Sequence, residues 1–249
     1  MLLSLLASAF AAPVTRPVEW TVGDTRFEGT LVWDDASTEK RPGIALVPNW
    51  MGVTPAAVEK AKVIAGDRYV VLVADVYGAT VRPANPGEAM KAATSAYADR
   101  AALRARAAAA VEALRGADAP VDTDRLAAIG FCFGGATVLE LARAGNTVVD
   151  AVVSFHGNLS TKLPAARGAV KVPVLALHGA ADPYVPAKDV AAFQKEMTSA
   201  GADWQLVVYG GAAHCFAEPD AASPPGCVYD PKAGGRAMTA MEALFATVW

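Results

Sequence analysis

Three short stretches of this chain carry side chains able to do covalent chemistry. The first is Gly130-Phe131-Cys132-Phe133-Gly134, where a thiol stands between two glycines. A residue forced into a sharp strand-to-helix turn projects its side chain above a sheet, and flanking glycines relieve the crowding. The turn also sets Cys132 at a helix start, where the dipole favours a thiolate. The second stretch, His178-Gly179-Ala180-Ala181-Asp182-Pro183, offers a carboxylate just past an apolar run. The third, Gly210-Gly211-Ala212-Ala213-His214-Cys215-Phe216, offers an imidazole. Taken alone, each has a plain structural explanation: a buried Cys in a glycine-rich turn, an Asp-Pro turn, a solvated loop His. Taken together they set out nucleophile, acid and base in one order along the chain. In such a set the imidazole takes the thiol proton, the carboxylate orients the imidazole, and the thiolate attacks a carbonyl carbon.

That chemistry requires elements that bring the three groups together. From Val18 onward, short apolar runs alternate with amphipathic stretches, the pattern of an α/β fold with a mostly parallel central sheet and helices on both faces. Glu19–Val22 and Arg26–Trp33 read as an antiparallel pair turned at Gly23-Asp24. Ile44–Val47 is a buried strand ending at Pro48, and Thr54-Pro55 then supplies an N-cap and an N1 proline for a helix that stops at Gly66. Tyr69–Val73 is a strand, Pro83–Gly87 a loop, and Tyr97–Arg115 a helix. The strand Arg125–Ile129 feeds the Cys132 turn. Val148–Phe155 and Val172–Leu177 are further strands, Lys188–Ala200 a helix, Trp204–Tyr209 the last strand and Lys232–Val248 the final helix. Cys132, Asp182 and His214 therefore each follow the C-terminal end of a strand, the edge where open α/β sheets bind ligands. No repeat or long linker divides the chain, so residues 12–249 are expected to form one domain.

Composition narrows the function. With 249 residues, 53% hydrophobic and 19% charged, the chain buries an ample core, which excludes disorder. Its 22 basic and 25 acidic side chains leave a net charge of −3 and no basic stripe, so nucleic acid is not an expected partner. Three His lie at no metal-ligand spacing with Cys or acidic residues, and no glycine-rich phosphate loop occurs, so neither metal nor cofactor is expected. Residues 1–11, ending Ala9-Phe10-Ala11, read as a signal peptide with a small-x-small cleavage pattern. The segment is too short for the about 20 apolar residues of a membrane span. Its leading region lacks Lys and Arg, so a misassigned start or a short buried segment is the competing reading. Export implies a periplasmic or secreted protein, and retention of the segment a cytoplasmic one. No other membrane association is expected. In an oxidising compartment the three cysteines would divide into the free Cys132 and a Cys215–Cys227 disulfide; in a reducing one all three stay thiols.

From Trp20 to Trp249 the sequence resembles the dienelactone hydrolase family of the α/β-hydrolase fold. The resemblance rests on Pro48-Asn49-Trp50-Met51-Gly52, Asp75-Val76-Tyr77-Gly78, the Cys132 stretch through Gly135, His178–Asp182 with Val185-Pro186, and His214-Cys215-Phe216. It implies a Cys132–His214–Asp182 triad that hydrolyses a small ester, lactone or thioester without a cofactor, through an acyl-thioester. It also implies an oxyanion hole made by the backbone N–H groups of Trp50 and Phe133. Two departures stand out. The family carries a Glu where this chain has Asn49, and an Arg where it has Glu218. The resemblance thus points to an uncharged substrate, with Glu218 repelling anions. Asn49, Tyr77 and His156 fall at strand ends and are pocket candidates, although packing explains Tyr77, and a strand-end cap His156, equally well. His178 is expected to be a buried residue bonded to backbone, and Asp99, Arg100 and Arg104 a solvated or partly paired helix face. The chain would act as a monomer or homodimer. Two other functions stay open: a catalytically drifted binding protein on the same fold, and a thiol redox protein using Cys132.

Overall fold

The computed structural model describes residues 13–249, so the segment read as a signal peptide lies outside the described residues. In chain order the elements are β1 (Val14–Val22), β2 (Thr25–Trp33), β3 (Arg41–Val47), α1 (Pro55–Ala65), β4 (Val70–Val73), α2 (Pro86–Ala98) and α3 (Arg100–Arg115). They continue with β5 (Val121–Phe131), α4 (Phe133–Arg143), β6 (Ala151–Phe155), β7 (Val174–Gly179), α5 (Ala187–Ala200), β8 (Trp204–Tyr209), β9 (Ala222–Ser223), β10 (Cys227–Val228) and α6 (Pro231–Val248). Eight strands form one sheet in the order β1-β2-β4-β3-β5-β6-β7-β8. The β1–β2 and β2–β4 pairs are antiparallel, and every later neighbour is parallel.

The central strands are apolar where they cross the core, as in Ile44–Val47, Val70–Val73 and Leu126–Ile129, because both faces of the sheet are covered there. On one face Leu31, Leu72, Ala128 and Val152 pack with Leu103 and Val111 of α3, Leu139 of α4 and Phe193 of α5. On the other, Ile44, Val71, Ile129 and Val153 pack with Ile64 of α1 and Met241 and Phe245 of α6. Burying one such Leu, Ile or Phe contributes about 1.5–3 kcal/mol. The strands β3, β5, β7 and β8 end on one common edge, and the loops leaving that edge carry Asn49, Cys132, Asp182 and His214.

Two differences from the sequence expectations have clear physical causes. The expected loop at Pro83–Gly87 instead opens a separate helix. Asn85 accepts from the Glu88 N–H at 3.0 Å, and Pro86 supplies a fixed φ at the first helical position. The expected single helix from Tyr97 is broken at Asp99, whose side chain accepts from Ala102 N–H at 2.9 Å and so begins α3. Of the two readings of the Arg100 and Arg104 face, the paired one holds. Both converge on Glu140 of α4, which is fully buried: Arg104 Nε donates to Oε2 at 2.8 Å, and Arg143 Nη1 lies 3.3 Å from Oε1. Arg143 then bonds Glu196 of α5 at 2.9 Å, tying three helices together. Burial pushes the Arg100 guanidinium down from its ordinary value, against the pull of Glu140.

Candidate active site

The strand β5 runs into Cys132, whose φ of +53° puts it in the left-handed region before α4 begins. Such a backbone is unfavourable for a side chain and is held by close packing around it. A Cβ on Gly134 would lie 1.9 Å from the Val47 carbonyl oxygen, and one on Gly130 would lie 2.2 Å from Gly134. Only glycine at these two positions lets the turn close this tightly, and the closure lifts the thiol to the sheet edge.

His214 and Asp182 come from the loops after β8 and β7. His214 Nδ1 donates to Asp182 Oδ2 at 2.7 Å, and Asp182 Oδ1 accepts from Tyr184 N–H at 2.8 Å. Both residues are buried, and the Tyr184 ring packs edge-on against His214 at 5.2 Å. With Nδ1 committed to the carboxylate, Nε2 is left for the thiol. Burial disfavours the imidazolium, but hydrogen bonding to Asp182 and to Cys132 outweighs it and pushes His214 up to about 10.

The residue after His214 is tied down covalently. Cys215 and Cys227 form a disulfide with a Cα–Cα distance of 4.9 Å. The Val228 N–H donates to the His214 carbonyl at 3.0 Å, so the short β9–β10 hairpin and the bridge together hold the His214 loop. Cys132 is the free cysteine of the described residues.

Asn49, Trp50, Cys132, Glu218 and the disulfide line a cavity of about 100 Å³. A larger chamber of about 260 Å³ adjoins it through Asn49 and Glu218 and has mostly apolar walls, including Leu46, Pro48, Met51 and Ala57. Among the described residues, neither the Trp50 nor the Phe133 N–H donates to another group of the chain. Tyr77 stands behind this wall: its hydroxyl donates to the Trp50 carbonyl at 3.0 Å and its ring packs on Phe133 at 5.0 Å. Among the described residues no three His, Cys, Asp or Glu side chains gather as metal ligands.

Three expectations need correction. His156 is not a pocket wall but is fully buried behind the turn, where its Nδ1 accepts from the Cys132 N–H at 3.2 Å. Burial, with the His214 and Lys60 cations, holds its pKa well below the ordinary imidazole value. His178 is buried, yet its Nδ1 has no partner among the described residues, so the backbone bond expected there is missing. Glu218 does not present a bare negative charge. Lys60 Nζ donates to its Oε2 at 2.7 Å and Asn49 Nδ2 to the same oxygen at 2.6 Å, so the carboxylate is offset. Lys60 had no sequence signal, because it reaches Glu218 across 158 residues of chain.

A mostly parallel eight-stranded sheet with its reactive turn after β5, an acid after β7 and a histidine after β8 is the arrangement of the α/β-hydrolases. The chain matches the model of the dienelactone hydrolase family over residues 27–249 and belongs to that family, whose members are hydrolases of ester and lactone bonds. It is similar to the solved structure named m3DLH, with 39% identity, a TM-score of 0.89, and coverage of 96% of this chain and 100% of that one. It is also similar to a dienelactone hydrolase-like promiscuous phosphotriesterase from metagenomic libraries, at 38% identity and a TM-score of 0.88, covering 96% and 99% of the two chains. A protein of Bradyrhizobium sp. described as a probable 2-oxo-3-(5-oxofuran-2-ylidene)propanoate lactonase is 27% identical over 219 residues, 83% of this chain and 87% of that one.

Proposed function

We propose that this hydrolase cleaves small uncharged esters or lactones through an acyl-thioester on Cys132, with His214 as proton carrier and Asp182 as its orienting carboxylate. The observation that carries this reading is the buried 2.7 Å bond from His214 to Asp182, with the other ring nitrogen left for a thiol on a left-handed turn. His214 takes the thiol proton, and the Cys132 sulfur forms a bond to the substrate carbonyl carbon as the carbonyl oxygen becomes an oxyanion. The Trp50 and Phe133 N–H groups, unpaired among the described residues, are the donors for that charge, each worth about 3 kcal/mol in such sites. Collapse breaks the ester C–O bond, and the alkoxide leaves with the proton from His214. A water then gives its proton to His214 and attacks the thioester, releasing the acid and restoring the thiol.

The electrostatics support both halves of this cycle. Part of what raises His214 comes from Cys132 itself. Acylation removes that partner, lowers the imidazole pKa and readies it as a base for water. The pairing of Glu218 with Lys60 supports an uncharged substrate, since among the described residues no unpaired cation lines either chamber to hold a carboxylate. The likeness to a promiscuous phosphotriesterase supports trying a phosphotriester as a second electrophile for the same sulfur. We also place the protein in an oxidising compartment, a reading supported by the Cys215–Cys227 bridge and the composition of residues 1–11.

The test is intact-mass spectrometry after p-nitrophenyl acetate, on wild type and on Cys132→Ala. An acetyl adduct on wild type that is missing from the variant is the expected result. Nitrophenol release that survives in Cys132→Ala would overturn the assignment. The same spectra, taken on protein expressed with residues 1–11, report whether that segment is removed.

A further inference from the structure

Behind the nucleophile lie two buried polar atoms that face each other and have no partner among the described residues: His156 Nε2 and Glu218 Oε1. They are 3.9 Å apart, and both side chains are almost completely buried. The rest of each side chain is fully engaged. His156 Nδ1 accepts from the Cys132 N–H at 3.2 Å, while its ring is packed edge-on to His214 at 5.1 Å and to Phe216 at 5.3 Å. Glu218 Oε2 accepts from Lys60 and from Asn49. Asn49 in turn accepts from the Met51 N–H at 3.0 Å, a bond that closes a turn around Trp50.

We propose that His156 and Glu218 are positioning residues, a buried imidazole–carboxylate pair that links the Cys132 turn to the Trp50 loop and fixes one relative to the other. This rests on the reading of Cys132 as the nucleophile and of Trp50 as an oxyanion donor. The Cys132 N–H is shared between the Phe155 carbonyl at 3.0 Å and His156 Nδ1 at 3.2 Å. To accept its proton, His156 Nδ1 must be bare, so the single proton of the neutral ring sits on Nε2. That N–H lies 3.9 Å from a carboxylate oxygen that has no other partner among the described residues, and leaving either atom unpaired in so buried a place is costly. A closure of about 1 Å brings them to the spacing of a charge-assisted hydrogen bond. The carboxylate makes the ring a stronger acceptor at Nδ1, as carboxylates do for other histidines. The connected bonds then run from the Cys132 N–H through His156 and Glu218 to Asn49, and from Asn49 to the Trp50 loop.

The pair needs no proton to move during turnover. Its contribution is to keep the sulfur and one oxyanion donor at a fixed separation, which acts on the transition state more than on the bound substrate. Nothing local in the sequence ties these two residues together, since His156 follows β6 and Glu218 follows the His214 loop.

Two measurements test the proposal. The first is ¹⁵N-edited NMR of the histidine side chains in the resting wild-type protein, with His156 assigned by its loss in His156→Gln. The expected result is a neutral ring at pH 7, protonated on Nε2 and bare on Nδ1. A ring protonated on Nδ1, or an imidazolium, would overturn the proposal, and the experiment needs neither substrate nor turnover. The second is p-nitrophenyl acetate kinetics of Glu218→Gln, which keeps shape and removes the charge. We expect kcat to fall about tenfold, with KM within about twofold, because a small misplacement acts on the transition state. Unchanged kcat, or a change confined to KM, would overturn it. If wild type forms no adduct on Cys132, the functional reading fails, while the NMR result still decides whether the pair exists.

Discussion

Glu140 and Glu218 are both buried carboxylates among cations, and they do different work. Glu140 lies between α3 and α4 with both oxygens facing guanidinium groups: Oε2 towards Arg104, and Oε1 towards Arg143 at 3.3 Å and Arg100 at 4.0 Å. Glu218 has both its hydrogen bonds on one oxygen, and the other faces a neutral imidazole across 3.9 Å. Glu140 lines neither chamber of the site, whereas Glu218 lines both. A carboxylate saturated by guanidinium groups from neighbouring helices holds those helices together. One left half-open beside Cys132 is the one we propose as a positioning residue. Burial and charge alone would rank the two as equals, and the unpaired oxygen tells them apart.

Substitutions can break or sharpen this contrast. Cys132→Ala sets the scale for pure chemistry: ester turnover should fall by at least about 10⁴-fold, as for other nucleophile deletions, with the melting temperature little changed. Glu140→Ala should do the reverse. It leaves Arg100 and Arg104 without their carboxylate partner in the interior, while Arg143 keeps Glu196, a loss of about 3–5 kcal/mol measurable by urea unfolding. The kcat of the molecules that remain folded should stay near wild type, and a selective loss of kcat would break the comparison. Replacing Cys215 and Cys227 together by Ser removes a bridge spanning 12 residues and should cost about 3 kcal/mol by the loop-entropy estimate. Because the bridge also pins the His214 loop, turnover should fall with stability in that variant, unlike in Glu140→Ala.

The smallest effect expected within the usual working range concerns pH. His214 is raised from 6.5 to about 10, so its imidazolium favours the folded state. That contribution is present in full below the unfolded value near 6.5 and is lost as pH rises towards about 10. Because His214 gives its proton to the leaving alkoxide, the kcat/KM for an alkyl acetate should hold through neutral pH and fall on an alkaline limb near 10. In Cys132→Ala the His214 titration followed by NMR should move down, because the thiol that helps raise it is gone. An unmoved titration would mean that Asp182 alone sets the value.

Much of the site was legible in the chain because the signals are local. A thiol between glycines at a strand end, an Asp just past another strand and a His past a third each depend on a few consecutive residues and on strand-end geometry. The capping residue Thr54 marks the start of α1 for the same reason. The break at Asp99 was missed although its signal was also local, because an Ala-rich stretch with one Asp reads as a continuous helix until the side chain is seen to cap Ala102.

The sequence by itself determined the fold class and the order of the loops that carry Cys132, Asp182 and His214. The tertiary structure alone decided which charges are exposed and which are paired. Arg104 meets Glu140 across 36 residues, Lys60 meets Glu218 across 158, and Asn49 meets Glu218 across 169. Partners so far apart leave no periodicity in the chain, since what joins them is the packing of separate elements rather than the spacing along any one of them. His156 looked like a strand-end residue open to the cleft for the same reason. Only the packed sheet turns its ring inward, beneath the turn that carries Cys132.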